Sequence, residues 1–244
     1  MSRPRPSHSD RRAREGAGTA THHAPRAGAR TVGWAIGVPL AMFRFLARRI
    51  PIERVASPAD WVADGLVHRR VWAECDRPQL PATRLLNIIA ADPNVVLPTE
   101  VLQLHKTAGD PRALVCGDRY LIRMAGPWNG PVIVTARDDN RLRLTSCPGN
   151  PQQGHVDFLV QDEGGRLRVE IASRYRPASR AFRALARFLP LVERMEVHTG
   201  GHVLEMAAQL AGARPPQRIW LQTTHPGRMA LRRPAAAAEA SDSP

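Results

Sequence analysis

Between residues 113 and 175 apolar and polar positions alternate in short runs divided by turn residues. Tyr120, Ile122 and Met124, then Leu142, Leu144 and Ser146, then Val156, Phe158 and Val160, then Leu167, Val169 and Ile171 each fall on every second position. In an extended chain such positions share one face of a sheet. The pattern predicts strands over 113–124, 132–137, 141–147, 155–161 and 166–175, with turn chemistry at Gly126-Pro127-Trp128-Asn129-Gly130, Asp138-Asp139-Asn140, Pro148-Gly149-Asn150-Pro151 and Asp162-Glu163-Gly164-Gly165. Connections this short join antiparallel neighbours. On the other face Arg141, Arg143, Asp157, Arg168 and Glu170 are spaced to pair across strands, as a solvated face requires.

After Arg174-Tyr175-Arg176-Pro177-Ala178-Ser179 the period lengthens. Phe182, Leu185, Leu189, Val192, Met195, Val203, Met206 and Leu210 form the stripe of a long amphipathic helix, with a kink expected at Pro190. Upstream, Ser57-Pro58-Ala59-Asp60 combines a capping hydroxyl, a proline suited to the first helical position and a carboxylate at the positive end of the helix dipole. It predicts a helix through Trp72, with Trp61, Gly65, Arg69 and Trp72 at helical spacing. Residues 84–90 read as strand or helix. Pro98-Thr99-Glu100 predicts a further short helix ending near Gly109-Asp110-Pro111, and Arg218-Ile219-Trp220-Leu221 either forms a last strand or trails. A hairpin cannot bury its apolar face alone. The expected fold class is therefore α+β: a curved antiparallel sheet gripping a long C-terminal helix, with N-terminal helices and disordered termini.

Composition adds the boundaries. Of 244 residues 43% are hydrophobic, enough for one folded domain, expected over 51–221. Residues 1–30 carry seven arginines among Pro, Gly, Ser and Ala with no apolar period, and read as a disordered basic arm; residues 222–244 read as a disordered tail. The formal charge of +13 invites a nucleic-acid or anionic-membrane partner. Lys106 is the only lysine, however, and an arginine-, alanine- and proline-rich chain looks like compositional drift, which places nucleic acid behind the other partners. The uncharged run from Thr31 to Phe43, followed by Arg44, Arg48 and Arg49, is too short to span a bilayer. It also lacks the early charged region and cleavage site of a secretory signal. Residues 31–50 are expected to form an apolar and basic helix that packs on the domain or lies at an anionic membrane surface. Cys75, Cys116 and Cys147 show no pairing pattern, which fits a reducing cytoplasm, and the expected localisation is cytoplasmic or peripheral to the membrane.

At three places the sequence resembles a known family. The segment from Gly149 to Phe158 resembles the G-H-P-E-x-G-E-x-x-F signature of an uncharacterised bacterial and plant domain of unknown function. Arg174-Tyr175-Arg176-Pro177-Ala178 is similar to that family's Phe-Ser-Arg-Pro-Ala element, and Pro190, Arg194 and Glu196 to its helix pattern. Asn150 stands where the family has His, and Gln152 and His155 where it has Glu. The likeness covers roughly residues 113–211 and brings no established activity. The order of strands and closing helix also resembles the helix-grip superfamily of START-type lipid carriers, pollen-allergen-like proteins and polyketide cyclases. That resemblance implies a curved sheet wrapped on its C-terminal helix around an apolar cavity.

Such a cavity would place Tyr120, Met124, Phe158, Met195, His202 and Met206 around a small hydrophobic or lipid-like ligand, with Trp128 as a lid. The same residues could instead fill a solid core. No catalytic set, phosphate loop or dinucleotide fingerprint is present, and no cofactor is expected. His198, His202 and Glu205 share one side of the helix, but Gly200-Gly201 and the absence of a further ligand speak against a metal. His155 and Asp157 are expected to point outward beside Arg143, and Arg180, Arg183, Arg187 and Arg194 to form a solvated stripe. The leading function is ligand binding without established catalysis. The alternatives are a polyketide-cyclase-like enzyme moving protons through Tyr120 or His202, and a basic adaptor for nucleic acid or a membrane surface.

Overall fold

The computed structural model describes residues 42–56, 65–124, 129–180, 182–184 and 190–225, with the side chains of 190–192 excepted. The basic arm over 1–30, the first part of the apolar helix over 31–50, the capping motif from Ser57 to Asp60, Trp61, Trp128, Leu185, Leu189 and the tail beyond His225 lie outside the described residues. Among the described residues nine strands make one sheet: β1 Ile52–Arg54, β2 Val67–Asp76, β3 Leu102–Ala108, β4 Arg119–Met124, β5 Gly130–Arg137, β6 Arg141–Ser146, β7 Gln152–Glu163, β8 Arg166–Pro177 and β9 Ile219–Thr224. Among the described residues the longer helices are α1 over 42–47, α2 Ala82–Ala91 and α3 Pro190–Leu210. Strands β3 to β8 form an antiparallel meander; β2 pairs β8, β9 pairs β2, and β1 joins β9 in parallel. This is the curved, open antiparallel sheet with a long C-terminal helix that the alternation implied.

The central strands lie where the period of two placed them, and their inward positions fill the core: Tyr120, Val132, Val134, Leu142, Val160, Leu167 and Val169 are buried. Outward charges pair in register. Arg143 donates from Nε and Nη2 to Asp157 at 2.7 and 2.8 Å, and Arg70 and Arg168 both reach Glu170.

Two stretches expected to be helical extend as strands. Residues 67–72, the described end of the helix expected through Trp72, belong to β2. Val71, Ala73 and Cys75 are buried and alternate with Arg70, Trp72 and Glu74, a period of two that Arg69 on the inner face and Trp72 on the outer face obscured. Cross-strand charge holds the register: Arg166 meets Glu74 at 3.3 Å and Asp76 at 3.0 Å. The helix start at Pro98 makes a single turn, in which Val101 and Leu102 both donate to the Pro98 carbonyl at 2.9 Å, and the chain then extends as β3. Asn94 pins this edge strand by donating to Leu104 O at 3.0 Å and accepting from Leu104 N at 2.9 Å. The first predicted strand, 113–124, begins only at Arg119. Residues ahead of it are folded onto Asp118, which accepts from the Asp110 and Val115 N–H groups and from Lys106 Nζ at 2.6 Å.

Residues 84–90 resolve as helix α2. Its Ala82, Leu85, Leu86, Ile89 and Ala90 are buried on one face, and the Asp162 carboxylate accepts from Ala82 N at 3.2 Å where Pro81 offers no cap of its own. The 218–221 segment is a strand, β9, which runs past the expected boundary at residue 221 to Thr224. In α3 the glycine pair allows close packing. A Cβ on Gly200 would stand 3.3 Å from Val71, and one on Gly201 would stand 2.8 Å from Ile50. In α1, Phe45 is buried against α3, with its ring 5.9 Å from that of His202, while Phe43 is 67% exposed.

Candidate functional site

The inward side chains of the sheet and the facing side of α3 leave a cavity of about 300 Å³. Its wall is mainly apolar. Leu102, Leu104, Ile122, Val132, Leu142 and Leu144 form it along β3 to β6, Val156 and Phe158 on β7, and Met195 and Val203 on α3. The sheet supplies these groups because every second residue of each strand faces the helix. A volume at the small end of ligand pockets suits a compact apolar molecule.

Polarity is concentrated where β2, β8 and β7 run side by side under α3. Arg69 lies in register with Ser173, and Tyr175 with Gly154 two residues beyond Gln152. Glu196 accepts from all three neighbouring donors: Arg69 Nη1, Tyr175 Oη at 3.0 Å and Gln152 Nε2 at 2.7 Å. Arg69 is buried; its Nε donates to Thr223 Oγ1 at 3.4 Å, and its Nη2 lies 3.9 Å from Glu193. Burial first, and the Glu196 carboxylate second, push the Tyr175 hydroxyl far above its ordinary range, so it stays a proton donor. Thr199, one helical turn beyond Glu196, also lines the cavity, and its buried Oγ1 has no hydrogen-bond partner among the described residues. Gly154 permits the strand geometry here: its φ is +149°, and a Cβ would fall 1.9 Å from Arg174 O.

Of the residues expected around a ligand, Met124, Phe158 and Met195 line the cavity. Tyr120 is buried in the adjoining core, its ring 5.2 Å from Lys106 Nζ. His202 and Met206 are not in the wall: His202 packs on Phe45, and Met206 against the main core. Trp128 lies outside the described residues. His202 Nδ1 contacts Arg48 Nη1 at 3.2 Å, and since a guanidinium only donates, Nδ1 is the acceptor and a neutral ring carries its proton on Nε2. Burial, then the Arg48 charge, lowers the His202 pKa. His155, expected to point outward, is among the residues that line the cavity; its buried Nε2 lies 3.9 Å from Asp157 Oδ2 and has no hydrogen-bond partner among the described residues. Arg180, Arg183 and Arg194 are exposed; Arg187 is outside the described residues. Among the described residues no group of three or more His, Cys, Asp or Glu side chains could hold a metal ion.

The polar cluster was the part that pattern reading missed. Sequence spacing puts Arg69 on a helix and Tyr175 at the end of a strand, while Gln152 and Glu196 both stand at signature-like positions. An arginine on the inner face of β2, opposite a glutamate on the closing helix, was the available signal.

No family model matches the chain, and no curated protein matches it. Among solved structures the chain is similar to TTHA0849 from Thermus thermophilus, at 18% identity and a TM-score of 0.42 over 59% of this chain and 99% of that one. It is also similar to hypothetical protein jhp0584 from Helicobacter pylori, at 13% identity and a TM-score of 0.46 over 64% and 94% of the two chains. A further similarity is to the di-domain ARO/CYC StfQ from the steffimycin biosynthetic pathway, at 10% identity and a TM-score of 0.43 over 62% and 52%. With its open antiparallel sheet closed by the C-terminal α3, the chain has a helix-grip fold.

Proposed function

We propose that this protein is a binding module for a small hydrophobic or lipid-like molecule, held in the cavity between the sheet and α3. The observation that carries the reading is the cavity itself: about 300 Å³ of space with a mainly apolar wall and polar groups gathered at one part of it. Met124 and Met195 add adaptable walls, because an unbranched thioether side chain repacks around different shapes. No observation favours the cyclase-like alternative, since neither Tyr120 nor His202 belongs to the wall.

Native mass spectrometry of the purified full chain, together with uptake of the fluorescent probe N-phenyl-1-naphthylamine, tests the reading. Saturable uptake is expected, abolished by Leu144→Trp, which fills the cavity with an indole. Uptake that is absent, or unchanged in Leu144→Trp with the far-UV spectrum preserved, would remove the binding role.

A peripheral membrane contact through residues 31–50 is a second part of the proposal. It is supported by exposed Phe43 beside exposed Arg44, Arg48 and Arg49. Sedimentation with anionic vesicles should weaken in Phe43→Ser; equal sedimentation of both forms would refute it.

A further inference from the structure

We propose that the molecule taken by the cavity is uncharged, an apolar body bearing a hydroxyl or carbonyl group, and that this polar tip seats against the Arg69, Glu196, Tyr175, Gln152 and Thr199 cluster. The inference rests on the binding function proposed above and specifies its ligand class.

The first argument is charge balance. Arg69 is the buried cation of the wall, and its charge is already paired: Nε donates to Thr223, Nη1 to Glu196, and Nη2 lies 3.9 Å from Glu193. Glu193 is in turn 3.9 Å from Arg54. Two guanidinium groups therefore face two carboxylates. A carboxylate or phosphate tip would find no unengaged cation. It would meet the Glu196 carboxylate at close range, and like charges so placed repel. A carboxylate that displaced Glu196 from Arg69 would leave a desolvated anion behind. A cationic tip fares no better, because Glu196 already accepts from three donors on β2, β7 and β8.

The second argument is what the cluster has left to offer. Gln152 spends an Nε2 hydrogen on Glu196 and keeps its carbonyl oxygen as an acceptor. Tyr175 spends its proton on the same carboxylate and keeps lone pairs. Thr199 has a buried hydroxyl with no partner among the described residues, one helical turn from Glu196. A buried unsatisfied hydroxyl is destabilising in the empty protein. A ligand hydroxyl can donate to the Gln152 or Tyr175 oxygen and accept from Thr199; a ligand carbonyl can accept from Thr199. The apolar wall along β3 to β6 then receives the body of the molecule.

The test displaces N-phenyl-1-naphthylamine from the full chain at neutral pH with decanol, decanoate and decylamine, which share a tail and differ in charge. Decanol is expected to bind at least about tenfold more tightly than either charged analogue, and Thr199→Val to weaken decanol about five- to tenfold, with displacement corrected for the probe affinity measured in the same variant. Thr199→Ser should restore the decanol affinity. Decanoate or decylamine displacing the probe as well as decanol, or Thr199→Val leaving decanol unaffected, overturns this inference and leaves the binding function standing. Failure of the wild-type chain to take up the probe removes both.

Discussion

Replacing Glu196 with alanine tests how the helix is held to the sheet. The substitution strips the acceptor from Arg69, Tyr175 and Gln152 together, so one change removes three hydrogen bonds that tie β2, β7 and β8 to α3. Removing one partner of a buried ion pair costs about 3–5 kcal/mol, because the remaining charge is desolvated without compensation. Two features reduce that figure here. The Glu196 side chain is 21% exposed, so water can reach the vacated position, and Glu193 lies 3.9 Å from the Arg69 guanidinium. A loss of about 3 kcal/mol is expected, roughly 6–12 °C in Tm for a chain of this size. Arg69→Met should cost less, about 1–2 kcal/mol, because Tyr175 and Gln152 still satisfy the carboxylate. The double variant Arg69→Met with Glu196→Ala should cost less than the sum of the two single losses by about 2 kcal/mol, since it leaves no orphaned guanidinium. Urea and thermal unfolding followed by far-UV circular dichroism measure all three. A Tm change below about 2 °C in Glu196→Ala, or strict additivity in the double variant, would refute the reasoning.

Gly154→Ala should destabilise by about 3 kcal/mol or more, read as a fall in the urea midpoint; it forces a side chain into positive φ and against Arg174 O, and an unchanged midpoint would contradict the close approach of β7 and β8. Burial opposes ionisation of Asp118, yet Lys106 and the Val115 and Asp110 N–H groups hold its carboxyl below the ordinary 3.8, and Arg70 and Arg168 hold Glu170 below 4.5 against the same opposition. Both folded values lie under the unfolded ones, so the stabilisation is complete above about 4.5 and is lost as pH falls through the folded values. Unfolding midpoints should drop over that acid range, and Asp118→Asn should flatten the drop; a midpoint that rises with acidification would refute the assignment. Burial, and then Asp76, push the Cys75 thiol up to about 11, whereas Cys116 is exposed. Maleimide should therefore label Cys116 first and Cys75 only on unfolding, and mass mapping that finds Cys75 modified in the native protein would show β2 to be open.

What local pattern decides was legible along the chain. The period of two from Tyr120 to Ile171, interrupted by Gly, Pro, Asn and Asp, could bury one face only as an antiparallel sheet. The stripe through Met195 and Val203 required a helix to cover it. Cross-strand pairs such as Arg143 with Asp157 followed from the same alternation. Residues 67–76 and 102–108 escaped because their fate depends on partners far along the chain. A proline-led helix start is a local preference worth about 1 kcal/mol, whereas β2 gains a ladder along its whole length on β8 and a second, from His68 to Trp72, on β9. The cavity and its polar cluster belong to that second class. Arg69, Gln152, Tyr175 and Glu196 stand on four elements, the most distant 127 residues apart, and only the stacking of β2, β8 and β7 beneath α3 brings them to one carboxylate. Whether apolar side chains fill a space or line it depends on the separation of sheet and helix, a distance set by packing and not by any single residue's hydrophobicity.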